Sequence, residues 1–365
     1  MAKRIGIVGG GQLGLMIAQA AREMGVGCVA LDPAPDAPAF AVCEDKIVAA
    51  YDDVKALTQL CESTDVVTYE FENIPAKVLE PLCAKYNIKQ GCKQLLDSQD
   101  RLREKIGAKT SGLKTPMFAA VNDEAMLKLA IGMMGLPAVL KTRRMGYDGK
   151  GQVVIKSEED LEDAISLLSV PCILEEFVDF DFELSTVVVR SEEGYTLFPI
   201  GRNCHRRGVL DLCIVPAEIS KELQYKIEKQ TINFMEQSGY YGILAIEYFV
   251  KGSKVIFNEM APRPHNSGHY TIEGSTSSQF SELVRFLIDE PLQGAALRGE
   301  SVIMKNILGE DFAQAQKIAS EGHDGVFVHL YGKSECKAGR KMAHITFVGL
   351  SEAEYRERWA SRFVE

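Results

Sequence analysis

The sequence predicts a protein of mixed class, with an α/β parallel sheet at the N-terminus, an α+β body and a small β-rich tail. Three observations carry that expectation. The opening residues read strand, glycine turn, helix, strand, the βαβ unit that requires parallel pairing. Between residues 138 and 258, apolar runs and helical patterns succeed one another without a regular βα alternation, as in α+β folds. The chain has 365 residues, more than one hydrophobic core commonly serves, so it divides into two or three domains around shared clefts.

Taken in order, residues 4–8 form a short buried strand, 9–14 a turn, 15–24 a helix and 28–31 a second strand. Apolar runs at 65–69 and 78–86 alternate with helical patterns and extend a parallel sheet to residue 95. From residue 96 the strand-like segments are 138–141, 152–155, 172–176, 182–190, 242–249 and 254–258, separated by helices such as 158–168. Beyond residue 290, strand candidates at 325–331 and 344–348 flank a basic loop. That tail is too short to bury a core of its own.

Composition narrows the function classes. Hydrophobic residues at 46% and charged residues at 25% are those of a globular protein, so disorder does not explain the chain. Forty-one Lys plus Arg against 51 Asp plus Glu give 41 − 51 = −10, a balance that opposes binding to a nucleic-acid backbone. Lys3 and Arg4 ahead of residues 5–21 imitate a signal peptide, but Gly6, Gly9, Gly10, Gly11 and Gly14 suit a strand, turn and helix better than a membrane span of about 20 apolar residues. A cytoplasmic protein without membrane contact is expected. The nine cysteines are scattered and contain no C-x-x-C, so they read as reduced core thiols and not as a disulfide framework or zinc site.

Gly9, Gly11 and Gly14 make G-x-G-x-x-G between a strand and a helix, and Asp32 ends the next strand. This pattern serves a dinucleotide, but equally any phosphate or carboxylate at a helix N-terminus, or close packing alone. The segment from Lys141 to Gln152 places a lysine at a strand end before a loop with Gly146, Gly149 and Gly151. Such a loop can close over a triphosphate, with Tyr147 and Asp148 facing a second substrate; a solvated basic hairpin is the plain alternative. In residues 173–178, Glu175, Glu176, Phe177 and Val178 end a strand ahead of Glu183. A strand edge there can offer backbone groups to adenine and Glu183 to ribose hydroxyls, though exposed acids on an ordinary strand look the same.

Glu247 and Glu259 lie twelve residues apart in two strongly apolar strands, with Asn258 alongside. Antiparallel pairing would bring the carboxylates together, where either a hard cation such as Mg²⁺ or a salt bridge must compensate them. The stiff loop that follows carries Arg263, His265, Asn266 and His269. Its Arg and Asn suit substrate binding; the two histidines lack the partners of a zinc site. Tyr331, Lys333, Arg340 and Lys341 form a basic cluster suited to a substrate phosphate or to plain solvation.

Taken together, GGGQLG, YEFEN at 69–73, QDRLREK at 99–105, LKTRRMGYDGKGQ, LEEFV, NEMAPRPHNSGH and GRKMAH resemble the ATP-grasp family. More narrowly, they are similar to its branch that carboxylates aminoimidazole ribonucleotide in de novo purine synthesis, in the same order from residue 5 to about residue 349. The resemblance implies an ATP-grasp fold: a Rossmann-like parallel-sheet domain at 1–95, a two-subdomain ATP-grasp domain at 96–290 with a lid at 115–178, and a small β-rich domain at 291–365. It implies ATP on Arg101, Lys141, Gly146, Tyr147, Asp148, Gly149, Lys150, Gly151, Gln152, Glu175, Glu176, Phe177, Val178, Glu183, Asn258 and Glu259, and Mg²⁺ on Glu247 and Glu259. The 5-aminoimidazole ribonucleotide would lie against Gln12, Leu13, Glu70 and Asn266, its phosphate on Lys333, Arg340 and Lys341. Met145 stands where such chains often carry glycine.

The implied reaction joins bicarbonate to that amine through carboxyphosphate, with Asp148 taking the amine proton and Tyr147 and Lys341 beside it. The resemblance also suggests a homodimer. Another ATP-grasp carboxylate–amine ligase would share the nucleotide residues but differ in acceptor groups. An NAD-dependent dehydrogenase would use Gly9–Asp32 yet leave Lys141–Gln152 and the Glu247/Glu259 pair without a role. A non-catalytic nucleotide-binding module would need neither the metal pair nor Asp148.

Overall fold

The computed structural model describes residues 3–146 and 151–364, so the expected site residues Tyr147, Asp148, Gly149 and Lys150 lie outside the described residues. Three sheets organise the described residues. The first holds β1 (Arg4–Val8), β2 (Gly27–Asp32), β3 (Asp45–Val48) and β4 (Val66–Tyr69), all parallel in the order β3-β2-β1-β4. β1, β2 and β4 are almost wholly buried, as strands covered on both faces must be. The outer strand β3 is short, charged and largely exposed, which discourages pairing with another chain.

The helix Gln12–Glu23 begins directly after the glycine turn, three residues ahead of the expected start. Gly9 adopts φ +106°, and a Cβ on Gly14 would stand 2.5 Å from the Gly9 carbonyl oxygen. Only glycine lets strand and helix approach that closely.

The second sheet is antiparallel. It comprises β5 (Phe118–Val121), β6 (Ala138–Thr142), β7 (Gln152–Ile155) and β8 (Cys172–Glu176), in the order β5-β8-β6-β7. Val121, Leu127, Leu140, Ile155 and Leu174 form its core with the helix Glu124–Met134. The helix expected over 158–168 is broken into a six-residue α-helix, Leu161–Ser166, between two 3₁₀ turns. Met145, at φ +61°, holds the left-handed conformation that favours glycine at such a position.

The third and largest sheet takes β9 (Phe182–Arg190), β10 (Tyr195–Leu197), β11 (Gly201–Arg206), β12 (Val209–Val215), β13 (Gly242–Lys251), β14 (Lys254–Ala261), β15 (Val302–Leu308), β16 (Val326–Leu330) and β17 (Lys341–Val348). Its order is β14-β13-β9-β11-β12-β15-β17-β16, with β10 on β9. The tail strands therefore extend the same sheet through the β12–β15 pairing. Pairing register shifts between Cys204 and His205, between Glu247 and Tyr248, and between Ile307 and Leu308, irregularities that bend and twist a strand.

The helix Gln279–Ile288 joins the two halves. Its Phe280, Leu283 and Leu287 share one core with Ile17 and Ala21 of the first domain and Val187, Val189 and Ile243 of the large sheet. That packing sets the glycine turn beside the strand ends of the large sheet.

Two expectations are corrected. Cys83 and Cys92 are paired, so not all nine cysteines are separate thiols; Cys28, Cys61, Cys172 and Cys213 are buried as expected, while Cys336 is exposed. Tyr331 belongs to the shared core, not to the basic surface cluster, and its hydroxyl bonds His344 Nδ1 at 3.0 Å. Among the described residues no helix is long and apolar enough to cross a membrane.

Candidate active site

β13 and β14 place Glu247 directly opposite Glu259, the juxtaposition that their spacing suggested. Glu247 is buried and accepts a hydrogen bond from Asn203 Nδ2 at 3.1 Å. Burial, reinforced by the Glu259 charge, pushes its carboxyl up to about 8. Glu259 opens to the cleft with 42% of its side chain exposed and meets Arg101 at 3.3 Å. Although burial of its surroundings opposes this, Arg101 and Lys141 hold its carboxyl below the usual range. Two facing carboxylates, one pushed towards neutrality by the other, with Asn258 next in the chain, offer the oxygen-rich setting that a hard divalent cation suits.

His205 joins this group, which sequence reasoning missed. Its Nδ1 lies 3.0 Å from Glu183 Oε2, and Glu183, His205 and Glu247 bring their ligand atoms within 4.8 Å of one another. Burial would lower the His205 pKa, but the bond to Glu183 and the Glu247 charge raise it.

Arg101, Lys141, Gln152, Glu175, Glu176, Phe177, Val178, Glu183, Asn258 and Glu259 line a cleft of about 290 Å³ between the second and third sheets, whereas Gly146 borders the cavity beside it and Gly151 lines neither. Lys141 Nζ donates to Glu175 Oε2 at 2.9 Å, so two residues expected to act separately are paired here. The buried Lys105 stands 3.4 Å from the same oxygen and donates to the Asn258 carbonyl at 2.5 Å. Burial alone would raise the Glu175 carboxyl; Lys105, Lys141 and Arg101 outweigh it and hold it at about 2. At the other end Phe177 and Phe180 are exposed to the cleft, and Phe180 stacks on Phe249 at 4.7 Å. Exposed aromatic faces inside a cleft suit a planar ligand.

Two more cavities adjoin it. A central one of about 320 Å³ lies over Glu259, Arg263 and His265, and a third of about 440 Å³ borders the glycine turn. Asn266 and Lys341 line all three. Gln12, Leu13, Glu70, Lys333 and Arg340 meet at the third.

The glycine turn itself is already engaged. Glu70 accepts from Gly11 N and Gly14 N, each at 2.6 Å, and Asp32 accepts from Gly10 N at 2.7 Å. The amides that would cradle a dinucleotide pyrophosphate hold the chain's own acids instead. Gln12 receives Lys333 Nζ on its oxygen at 2.6 Å and donates to Asn266 Oδ1 at 3.3 Å. Burial, helped by Arg340, pushes the Lys333 amine down to about 8.

Of the two candidate histidines, His265 borders the central cavity, its Nε2 4.0 Å from Glu247. His269 is wholly buried, its ring tilted against that of His344 with 4.7 Å between centroids.

A cleft between two antiparallel sheets, with facing acids at one end and a second ligand cavity beyond, defines an ATP-grasp enzyme. The ATP-grasp domain family matches residues 107–280, the ribonucleotide synthetase preATP-grasp domain residues 1–99, and the phosphoribosylaminoimidazole carboxylase C-terminal domain residues 302–358. The N5-carboxyaminoimidazole ribonucleotide synthase of Bacillus subtilis strain 168 is 40% identical over an alignment of 368 positions, gaps included, that covers 98% of this chain and 96% of that protein. The enzyme of the same name from Staphylococcus aureus strain COL is 41% identical over 345 residues, covering 94% and 91%. Among solved structures, the Staphylococcus aureus N5-carboxyaminoimidazole synthetase complexed with ADP superposes with a TM-score of 0.94 at 39% identity, over 99% of this chain and 97% of that one. The Aspergillus clavatus synthase in complex with ADP and 5-aminoimidazole ribonucleotide gives 0.91 at 26% identity, over 99% and 97%.

The chain belongs to the N5-carboxyaminoimidazole ribonucleotide synthase family and is an ATP-dependent carbon–nitrogen ligase.

Proposed function

We propose that the chain carboxylates 5-aminoimidazole ribonucleotide with bicarbonate and ATP, giving N5-carboxyaminoimidazole ribonucleotide, ADP and phosphate in de novo purine biosynthesis. The observation that carries this reading is the meeting of three cavities at Asn266 and Lys341, which lets an activated carboxyl pass from nucleotide to amine without entering bulk water.

In this reading adenine lies against Glu176, Phe177 and Val178, with the ribose on Glu183 and His205. Arg101, Lys141 and the loop Gly146–Gln152, with Tyr147, Asp148, Gly149, Lys150 and Gly151, take the phosphates. Glu247 and Glu259, with Asn258, suit Mg²⁺, which when bound would neutralise phosphate charge. Bicarbonate occupies the central cavity beside Arg263 and His265. Its oxygen attacks the γ-phosphorus and the bond to ADP breaks, leaving carboxyphosphate, while Lys141 and Arg101 offset charge growing on the transferred oxygens. The exocyclic amine attacks the carboxyl carbon, phosphate leaves, and Asp148 takes the amine proton, with Tyr147 and Lys341 beside it. Gln12, Leu13, Glu70 and Asn266 hold the ribonucleotide and Lys333, Arg340 and Lys341 its phosphate. Residues 1–95, 96–290 with a lid at 115–178, and 291–365 form the domains. A cytoplasmic homodimer is its assumed setting, the dimer resting on the family resemblance; light scattering in solution tests it.

The deciding experiment is ADP release from MgATP with bicarbonate, with and without the ribonucleotide, plus trapping of labelled carbon in an acid-labile carbamate. Strong stimulation with label captured is expected. Release without either would point to a different acceptor within the same ligase class.

Lys333 gives a pH test of the acceptor site. With its amine at about 8, it is cationic below that pH and neutral above. Its contribution to phosphate affinity is therefore full well below pH 8 and lost as pH rises through it. Lys333→Met should raise KM for the ribonucleotide about ten- to hundred-fold, from a charge-assisted bond worth about 1.5–3 kcal/mol, and flatten the rise of KM in alkali. An unchanged alkaline rise in the variant would remove Lys333 from the phosphate site.

A further inference from the structure

Asn266 and His265 reach the junction of the cavities on a loop, and loops hold catalytic geometry only when something rigid fixes them. Gln279, the first residue of the helix Gln279–Ile288, is wholly buried beneath that loop. Its Oε1 accepts from His265 N at 3.0 Å and its Nε2 donates to His265 O at 2.8 Å. One side chain thus imitates the paired bonds of an antiparallel strand. The same Nε2 lies 3.3 Å from His269 Nδ1, and the Gln279 amide donates to Thr271 Oγ1 at 2.9 Å. That hydroxyl donates in turn to Gly268 O at 2.6 Å. A Cβ on Gly268 would stand 2.5 Å from Gln279 Oε1, so the loop is shaped to admit this carboxamide.

We propose that Gln279 is a positioning residue that clamps the His265 backbone and thereby aims Asn266 at the acceptor cavity. The effect reaches that cavity because Asn266 Oδ1 receives Gln12 Nε2, and Gln12 holds Lys333. Shortening the side chain by one methylene withdraws both bonds from His265. Exchanging the amide for a carboxylate keeps the acceptor but sets negative charge against the His265 carbonyl; protonation restores the donor. The inference rests on the carboxylation reading given above.

The test measures KM for the ribonucleotide and for MgATP, and the ratio of ADP formed to carbamate trapped, in the parent, Gln279→Ala and Gln279→Glu. Gln279→Ala should raise KM for the ribonucleotide about ten-fold or more and increase ADP formed without carbamate, with KM for MgATP within about two-fold. Should that variant not fold, the near-isosteric Gln279→Glu decides. Its ribonucleotide KM, relative to the parent at each pH, should be highest in alkali and fall towards one as pH is lowered and the buried carboxyl gains its proton. Both KM values rising in proportion, or neither changing, would overturn the clamp. A parent that traps no carbamate would instead sink the carboxylation reading, so the two failures are distinguishable.

Discussion

Glu259→Gln is expected to lower kcat for ADP formation by about 10²–10³-fold while leaving the protein folded. The substitution keeps the side chain's shape and removes its charge at the point where β14 faces β13. In the parent, Glu259 does three things at once: it receives Arg101, raises the neighbouring Glu247 carboxyl and supplies the exposed oxygen of the pair. An amide accepts from Arg101 only weakly and binds a divalent cation far less well than a carboxylate. Relieved of its like-charged neighbour, Glu247 should ionise more readily. The measurement is steady-state ADP release across a magnesium titration, with a thermal melt of the same sample. A variant with the parent's rate and magnesium requirement would show that the pair is only structural.

Asp148→Asn addresses the other end of the reaction. Carbamate formation should fall by about 10²–10⁴-fold, the span attributed to general acid–base catalysis, with ATP affinity within about two-fold of the parent. Neutral asparagine keeps the side chain's size and hydrogen-bonding capacity, so ATP affinity is expected to survive while the proposed proton acceptor is lost. Binding by calorimetry and trapping of labelled carbamate separate the two effects. Full carboxylation by the variant would remove Asp148 from the chemistry; a parallel loss of ATP binding would mark it as a loop-closure residue instead.

Much of the fold was legible because local pattern and tertiary role coincide. β1, β7, β8 and β9 carry the bounds read from the sequence, since each is an apolar run stopped by glycine or charge. The short strands β3, β5 and β10 escaped notice, and so did the longer β11, β12 and β15. Their polar residues are internal: Lys305 of β15 is buried against Asp211 of β12, and Asn203 of β11 points to Glu247. A buried ion pair interrupts hydrophobic patterning, so the strands do not announce themselves.

The same distinction runs through the site. The Glu247/Glu259 register follows from two apolar strands joined by a tight turn, which a sequence can reveal. Missing were His205, hidden in a charged hairpin, and Lys105, whose neighbours in the chain are a glutamate and an isoleucine. Lys105 reads as an exposed lysine until Glu175 and the Asn258 carbonyl, distant in sequence, are brought to it. The engagement of Glu70 with Gly11 and Gly14 was equally invisible, because 59 and 56 residues separate the partners.

The large sheet has a further consequence. From β13 to β17 the order crosses five strand spacings, which in a flat sheet would hold the two strands about 24 Å apart. Yet Glu247 of β13 and Lys341 of β17 border one cavity. The sheet must curl back on itself like a cupped hand, and the register shifts, each made by one extra residue in β12, β14 or β17, are its knuckles. Curvature thus sets the span between the facing acids and the lysine that begins the last long strand. Removing Asp211 or Met342, the extra residues at two of these bends, would open the hand and part those groups without altering any side chain assigned to a substrate.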